Sequence, residues 1–173
     1  LYLNLDSINQ NFLDLVFAED TGFSAIELNK LAFNVKNFQF YKNNFSNVEG
    51  MFDLINSEVK GYLTADKFNL NLRIDKTKFM RIEINDSTIS NTSFLNSAKS
   101  ASKFSINSRL IVRDSSFGKI QIKDFDAYIL NNKNNFTANN LKLNSNLISI
   151  KPVKNSSKAY FSINKLQPLY KVR

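Results

Sequence analysis

The chain has neither cysteine nor histidine among its 173 residues. Their absence excludes disulfides, thiolate nucleophiles, the usual zinc ligands and the side chain most often used for proton transfer near neutral pH. No Gly-x-Ser-x-Gly motif occurs, and serine has no histidine to complete a catalytic triad. The sequence therefore predicts a protein that is not an enzyme and that uses no metal and no cofactor.

Glycine and proline are scarce, at four and two residues. This argues against glycine-rich phosphate loops and against a proline-rich linker. The sequence contains no run of about 18 apolar residues, the length needed to span a bilayer, and no secretory hydrophobic region. Because the first residue is Leu1 instead of methionine, we expect an excerpt or a processed product whose signal or membrane anchor lies upstream.

Basic residues outnumber acidic ones, 23 to 15, which gives a formal charge of +8. Such an excess is typical of proteins that bind nucleic acid or an anionic membrane surface. The cations are scattered along the chain, however, and lysine also solvates outer strand faces and protects sheet edges. The second interpretation fits the scattering better.

The most regular pattern is an alternation of apolar and polar residues. In the segment 67–75, Phe68, Leu70, Leu72 and Ile74 occupy every second position and only polar residues lie between them. A period of two residues indicates an extended strand with one apolar and one polar face. Most of the chain after residue 24 repeats the pattern without helices of crossover length, so we predict an all-β, elongated antiparallel meander with one apolar side.

The first residues are the exception. Ile8, Phe12, Leu15 and Val16 stand at helical offsets behind a possible cap at Asp6 or Ser7. We predict one short N-terminal helix there, within a lead-in that covers residues 1–22.

Two strand-rich stretches follow, a first meander over 23–90 and a second over 104–173, joined by a polar connection at 91–103 that is rich in serine and asparagine. We expect them to form one continuous sheet. The predicted strands are 25–28, 31–35, 38–41, 48–54, 58–64, 67–75, 79–84, 104–112, 118–122, 125–130, 135–138, 141–143, 147–150 and 159–163.

The two stretches share spaced apolar residues. Phe38, Phe40, Phe45 and Val48 recur at a constant offset of 72 residues as Leu110, Val112, Phe117 and Ile120. We interpret this offset as modest evidence for a structural repeat.

Several of these runs resemble the AsmA-like family, in particular its YhdP branch. The resemblance is carried by the strand patterns of 31–40 with 45–48, of 59–63, and of 108–122 followed by 135–143. Gly61 and Gly118 fall where that branch places a glycine next to a strand. These are patterns of strand type without a catalytic signature.

The resemblance implies a long, curved β-groove that carries lipid acyl chains between the inner and outer membranes of Gram-negative bacteria. It further implies a periplasmic location, tethered to the inner membrane by a segment outside this chain. The expected partners are phospholipid or another acyl lipid and possible further envelope proteins, without nucleic acid.

The candidate lipid-binding residues are the large apolar side chains at alternate strand positions, which would line the groove. They are Phe33, Val35, Phe38, Phe40, Phe52, Leu54, Val59, Phe68, Leu70, Leu72, Ile74, Leu110, Val112, Ile120, Ile122, Ala127 and Ile129. The alternative for any of them is packing within an ordinary two-layer core.

Two other functions stay open at this point. A closed β-sandwich would seal the apolar face and act as an interaction or adhesin-type module. A single-stranded nucleic-acid binder would use the positive charge and exposed tyrosines to stack bases. The second is less favoured, because most of the aromatic residues are phenylalanines in apolar alternation.

Overall fold

A computed structural model gives the fold of the chain and describes residues 1–9, 29–40, 42–92, 106–132, 135–153 and 158–164. These residues form a single open, curved sheet, and no helix occurs among them. The strands are β1 (Tyr2–Asn9), β2 (Lys30–Phe40), β3 (Asn43–Ile55), β4 (Glu58–Ala65), β5 (Phe68–Ile74), β6 (Phe79–Asn85), β7 (Thr88–Ile89), β8 (Ile106–Phe117), β9 (Ile120–Asn132), β10 (Asn135–Ser145), β11 (Ile148–Pro152) and β12 (Ala159–Ile163).

The order in the sheet follows the order in the chain, from β1 to β6 and then from β8 to β12, with β7 paired to β8 beyond the end of β6. The all-β prediction and the open, curved sheet are confirmed. The prediction of a purely antiparallel sheet needs correction. Three pairs are parallel, namely β1 with β2, β6 with β8 and β7 with β8, and the remaining pairs are antiparallel. The sheet is therefore mixed.

The predicted N-terminal helix is wrong where the structure describes it. Residues 6–9 belong to β1, and Leu5, Ser7 and Ile8 pair with Val35, Asn37 and Phe38. Residues 10–28, which include the rest of that helix and the predicted strand 25–28, lie outside the described residues. At residues 6–9, strand pairing against β2 prevails over the weak helical spacing of the apolar side chains.

The strand pattern is interrupted along one line that crosses the sheet. On each side of this line the apolar face takes every second residue of a strand. At the line itself two residues, instead of one, separate successive positions of that face. These residues are 6–7, 36–37, 46–47, 85–86, 113–114 and 123–124, together with 66–67 at the β4–β5 turn. We call this line the crease. In β1, β2 and β3 the apolar side chains stay on the same face on both sides of the crease, because Ile8, Phe38 and Phe45 pack with Val35 and Val48 in one cluster.

The sheet narrows next to the β4–β5 turn. Asp66 N–H donates to the carbonyl of Ser46, and Thr88 N–H donates to that of Lys67, so the turn is held on both sides. Beyond it, the Asn43 side chain bonds with the backbone of Asn91 through two hydrogen bonds of 2.8 Å. In a flat sheet β3 and β7 would lie about 14 Å apart, which is three strand spacings. The hydrogen bonds between Asn43 and Asn91 bring β3 and the residues after β7 together, so the sheet has to bend out of plane.

The predicted repeat does not keep its offset. Phe40 ends β2 just before the β2–β3 turn, and Phe117 ends β8 just before the β8–β9 turn, so equivalent hairpin positions lie 77 residues apart (117 − 40). Phe45, which the offset of 72 pairs with Phe117, lies instead after the turn, in β3. A period of two residues produces matches at many offsets, which explains the wrong offset.

Candidate lipid-binding face

Cross-strand register aligns one apolar residue from every strand along the main path of the sheet. We call this line the apolar row. Its members are Leu3, Phe33, Gly50, Leu63, Leu70, Ile84, Val112, Phe125, Leu143, Ile150 and Phe161. Ten strand spacings give the row a length of about 48 Å. No polar side chain interrupts it.

Two shorter rows lie beside it on the same face. Along the strands up to β9 the first lies two residues from the apolar row and the second lies four residues from it. The first contains Leu31, Phe52, Gly61, Leu72, Ile82, Leu110 and Ala127. The second contains Leu54, Val59, Ile74, Met80, Ser108, Ile129 and Ala138. Together the three rows make a continuous apolar surface, which we call the apolar face.

The two glycines in these rows are required by close packing. The ring of Phe33 lies on Gly50, where an added Cβ would come within 2.3 Å of Cζ. The ring of Phe52 lies on Gly61, where a Cβ would meet the ring at 2.2 Å and the Met51 carbonyl oxygen at 2.5 Å. The rings of Phe33 and Phe52 also stack, with their centroids 6.3 Å apart. Aromatic rings thus fill the positions that the glycines leave open.

Near the crease the apolar face is densely packed. Val35, Phe45 and Val48 form a buried cluster, with Phe38 and Phe68 among the side chains against it. The Phe45 and Phe68 rings approach to 5.5 Å although β4 lies between their strands, because β4 ends at the β4–β5 turn. An open depression of about 580 Å³ lies nearby. Ser7, Ile8, Asn37, Phe38, Gln39, Asn44 and Phe45 line it.

Fifteen of the seventeen sequence-predicted groove residues lie on this one face, and the other two, Ile120 and Ile122, lie beyond the crease in β9. Val35, Val112 and Ala127 are buried, Leu54 and Ile120 are 38% and 42% exposed, and the other twelve are half-buried. No second layer of described residues packs across them.

The prediction missed several members of the face. Leu3, Leu5 and Ile8 were assigned to a helical lead-in, whereas Ile82, Ile84, Leu143 and Ile150 were left out although they alternate in the same way. The period-two signal was present in each case. What the sequence did not give is the register that brings them into line with the predicted residues.

The opposite face is polar, and several of its charged groups form ion pairs. Arg109 makes a bidentate ion pair with Asp126, at 2.6 and 2.9 Å, and Arg81 pairs with Glu83 at 2.5 Å. The hydrogen bond from Arg109 lowers the pKa of the Asp126 carboxyl. Arg109 also lies 5.1 Å from the ring centre of Tyr128. Ile111, only 1% exposed, is the one fully buried aliphatic side chain among the described residues of this face.

A few observations bear on other chemistry. The described residues contain no cluster of acidic side chains suited to holding a metal ion. Within the same residues, no helix has the length and hydrophobicity to cross a bilayer. Comparison of the chain with protein-family models, with curated proteins and with solved structures gives no match. The apolar face is therefore the candidate functional site of the described residues.

Proposed function

We propose that the chain is a non-enzymatic segment of a lipid conduit, in which the apolar face holds the acyl chains of phospholipids or related lipids. The observation that carries the proposal is the apolar row, which crosses eleven strands without a polar side chain. Each methylene moved from water onto such a surface contributes about 0.8 kcal/mol. Acyl chains can therefore be held without any specific polar contact.

The geometry suits movement along the sheet better than a fixed site. The row is about 48 Å long, whereas each leaflet of a bilayer core is about 15 Å thick, so an extended acyl chain covers only part of it. Because neighbouring positions along the row are chemically alike, a chain can shift along it without losing contact area. By this proposal the protein works in the periplasm, between two membranes, and is tethered by a segment outside this chain.

The polar face gives less support to nucleic-acid binding. Lys60, Arg73, Arg81 and Arg109 lie directly across from one another on neighbouring strands. Three of them have an acidic partner, Glu58, Glu83 or Asp126, within 3.9 Å. These acids reduce the positive charge that a phosphate backbone needs.

Site-specific photo-crosslinking tests the proposal. The photoreactive residue p-benzoylphenylalanine replaces Leu72, on the apolar face, or the neighbouring Asn71, which is exposed on the polar face, in protein produced in bacterial cells. After irradiation, mass spectrometry should detect phospholipid adducts at position 72 and at most background at position 71. Equal labelling at both positions, or protein adducts alone at position 72, would reject the conduit; the second result would favour an interaction module.

A further inference from the structure

The last strand that the structure describes, β12, has no described strand along its outer edge. Among the described residues only β11 pairs with it, and all five of its residues are exposed. Tyr160, Phe161 and Ile163 are 73%, 61% and 55% exposed, on both faces of the strand. The sequence Ala-Tyr-Phe-Ser-Ile has no charge and no proline, the features that usually protect an edge strand from pairing.

Hydrogen bonds within the β11–β12 hairpin show which backbone groups face outward. Val153 N–H donates to the Lys158 carbonyl, and Asn164 N–H donates to that of Leu147. Because bonding and non-bonding positions alternate along an antiparallel pair, Tyr160 and Ser162 also point their backbone groups toward β11. Ala159, Phe161 and Ile163 therefore direct their N–H and C=O groups to the open edge, while their side chains lie on the apolar face.

This edge is complementary to itself. If two copies of β12 meet antiparallel about a two-fold axis at Phe161, the two Phe161 residues exchange hydrogen bonds with each other. Ala159 then lies opposite Ile163 of the second copy, small against large, and Tyr160 lies opposite Ser162 on the polar face. The pairing forms six backbone hydrogen bonds and brings no like charges together.

The axis of such a pair is perpendicular to the sheet, so both apolar faces lie on the same side. Phe161 is the last member of the apolar row, and its pairing with the second copy joins the two rows end to end. We infer that β12 is a homodimerisation edge that extends the apolar face from one copy of the chain into a second. The inference stands on the edge geometry and does not depend on what the apolar face binds.

The strand is short, and a five-residue edge buries less than the roughly 800 Å² per partner of a typical stable interface. We therefore expect a monomer–dimer equilibrium that depends on concentration, measurable by sedimentation velocity. Phe161→Pro removes an outward N–H without affecting the β11–β12 hydrogen bonds, whereas Phe161→Val keeps that N–H. The valine variant should still dimerise and the proline variant should stay monomeric. A purely monomeric wild type would overturn the inference.

The absence of native cysteine allows a second test of the geometry. Across the two-fold axis the two Phe161 Cα atoms would lie about 5.5 Å apart, within the range that a disulfide spans. Under mild oxidation Phe161→Cys should form a covalent dimer, whereas Ser162→Cys and Leu3→Cys, the latter on the β1 edge, should form no covalent dimer. Crosslinking only when Leu3→Cys and Phe161→Cys are combined would show head-to-tail joining and overturn the two-fold pairing.

Discussion

Single residues at the crease adopt backbone conformations that strand residues normally avoid. Asn47, Asp86 and Asp114 have φ angles of 54°, 47° and 44°, in the left-handed region. Asparagine and aspartate tolerate this region better than other residues with a side chain. Asn47 lies in β3, Asp86 between β6 and β7, and Asp114 in β8, all along one line, so the crease depends on local backbone chemistry as well as on packing.

Replacement of Asp114 tests this dependence. Asp114→Ala should lower the free energy of unfolding by about 1 kcal/mol, because alanine is strained at positive φ, whereas Asp114→Gly should be tolerated. Urea unfolding of both variants measures the difference. If alanine and glycine were equally destabilising, the side chain of Asp114 would matter more than its φ angle.

At the scale of elements, the strand predictions failed mainly at the crease. Residues 31–35 and 38–41 were predicted as two strands, but β2 runs through both; β9 likewise joins the predicted strands 118–122 and 125–130. The gaps between these predicted strands fall at breaks in the alternation, which mark a bend within a strand instead of its end. Residues 133–134 lie outside the described residues, and β9 and β10, on either side of them, pair antiparallel.

Between elements, the ion pair of Arg109 in β8 with Asp126 in β9 gives a prediction for pH. Because the Asp126 pKa is lower in the folded state, its stabilising contribution is complete above the unfolded-state pKa of about 3.9 and is lost as the pH falls through the folded-state pKa. Asp126→Asn should therefore cost about 1–3 kcal/mol at pH 7, and the difference from wild type should shrink below about pH 4.

Unfolding by urea across pH 2.5–7 measures that difference. Asp53→Asn is the matched control, since Asp53 lies 3.8 Å from Lys30 in an exposed pair and its loss should cost less than about 1 kcal/mol. A difference between wild type and Asp126→Asn that does not change with pH would contradict the assignment.

For the whole molecule, curvature depends on the contact between β3 and the residues after β7. Asn43 is only 6% exposed, and its amide group acts like a short strand by bonding to both the N–H and the C=O of Asn91. No pattern in the sequence distinguishes this asparagine from the many others in the chain. Its role follows from a contact between residues 48 positions apart.

Asn43→Ala should destabilise the fold by about 1–3 kcal/mol, because it removes both hydrogen bonds at a buried position. Hydrogen exchange at the Asn91 amide should become faster at the same time. Asn44→Ala, at the exposed neighbouring position, is the control and should change neither quantity appreciably. Unchanged exchange at Asn91 in Asn43→Ala would show that other contacts close the sheet there.

The sequence by itself determined that the chain is all-β and indicated part of its apolar face, since a period of two residues assigns alternate side chains to one side of a strand. The tertiary structure alone decided the three parallel pairings, the place of β7 beyond β6 and the alignment of eleven strands into one row. Register depends on hydrogen bonds between distant segments, and alternation within one strand is compatible with many registers.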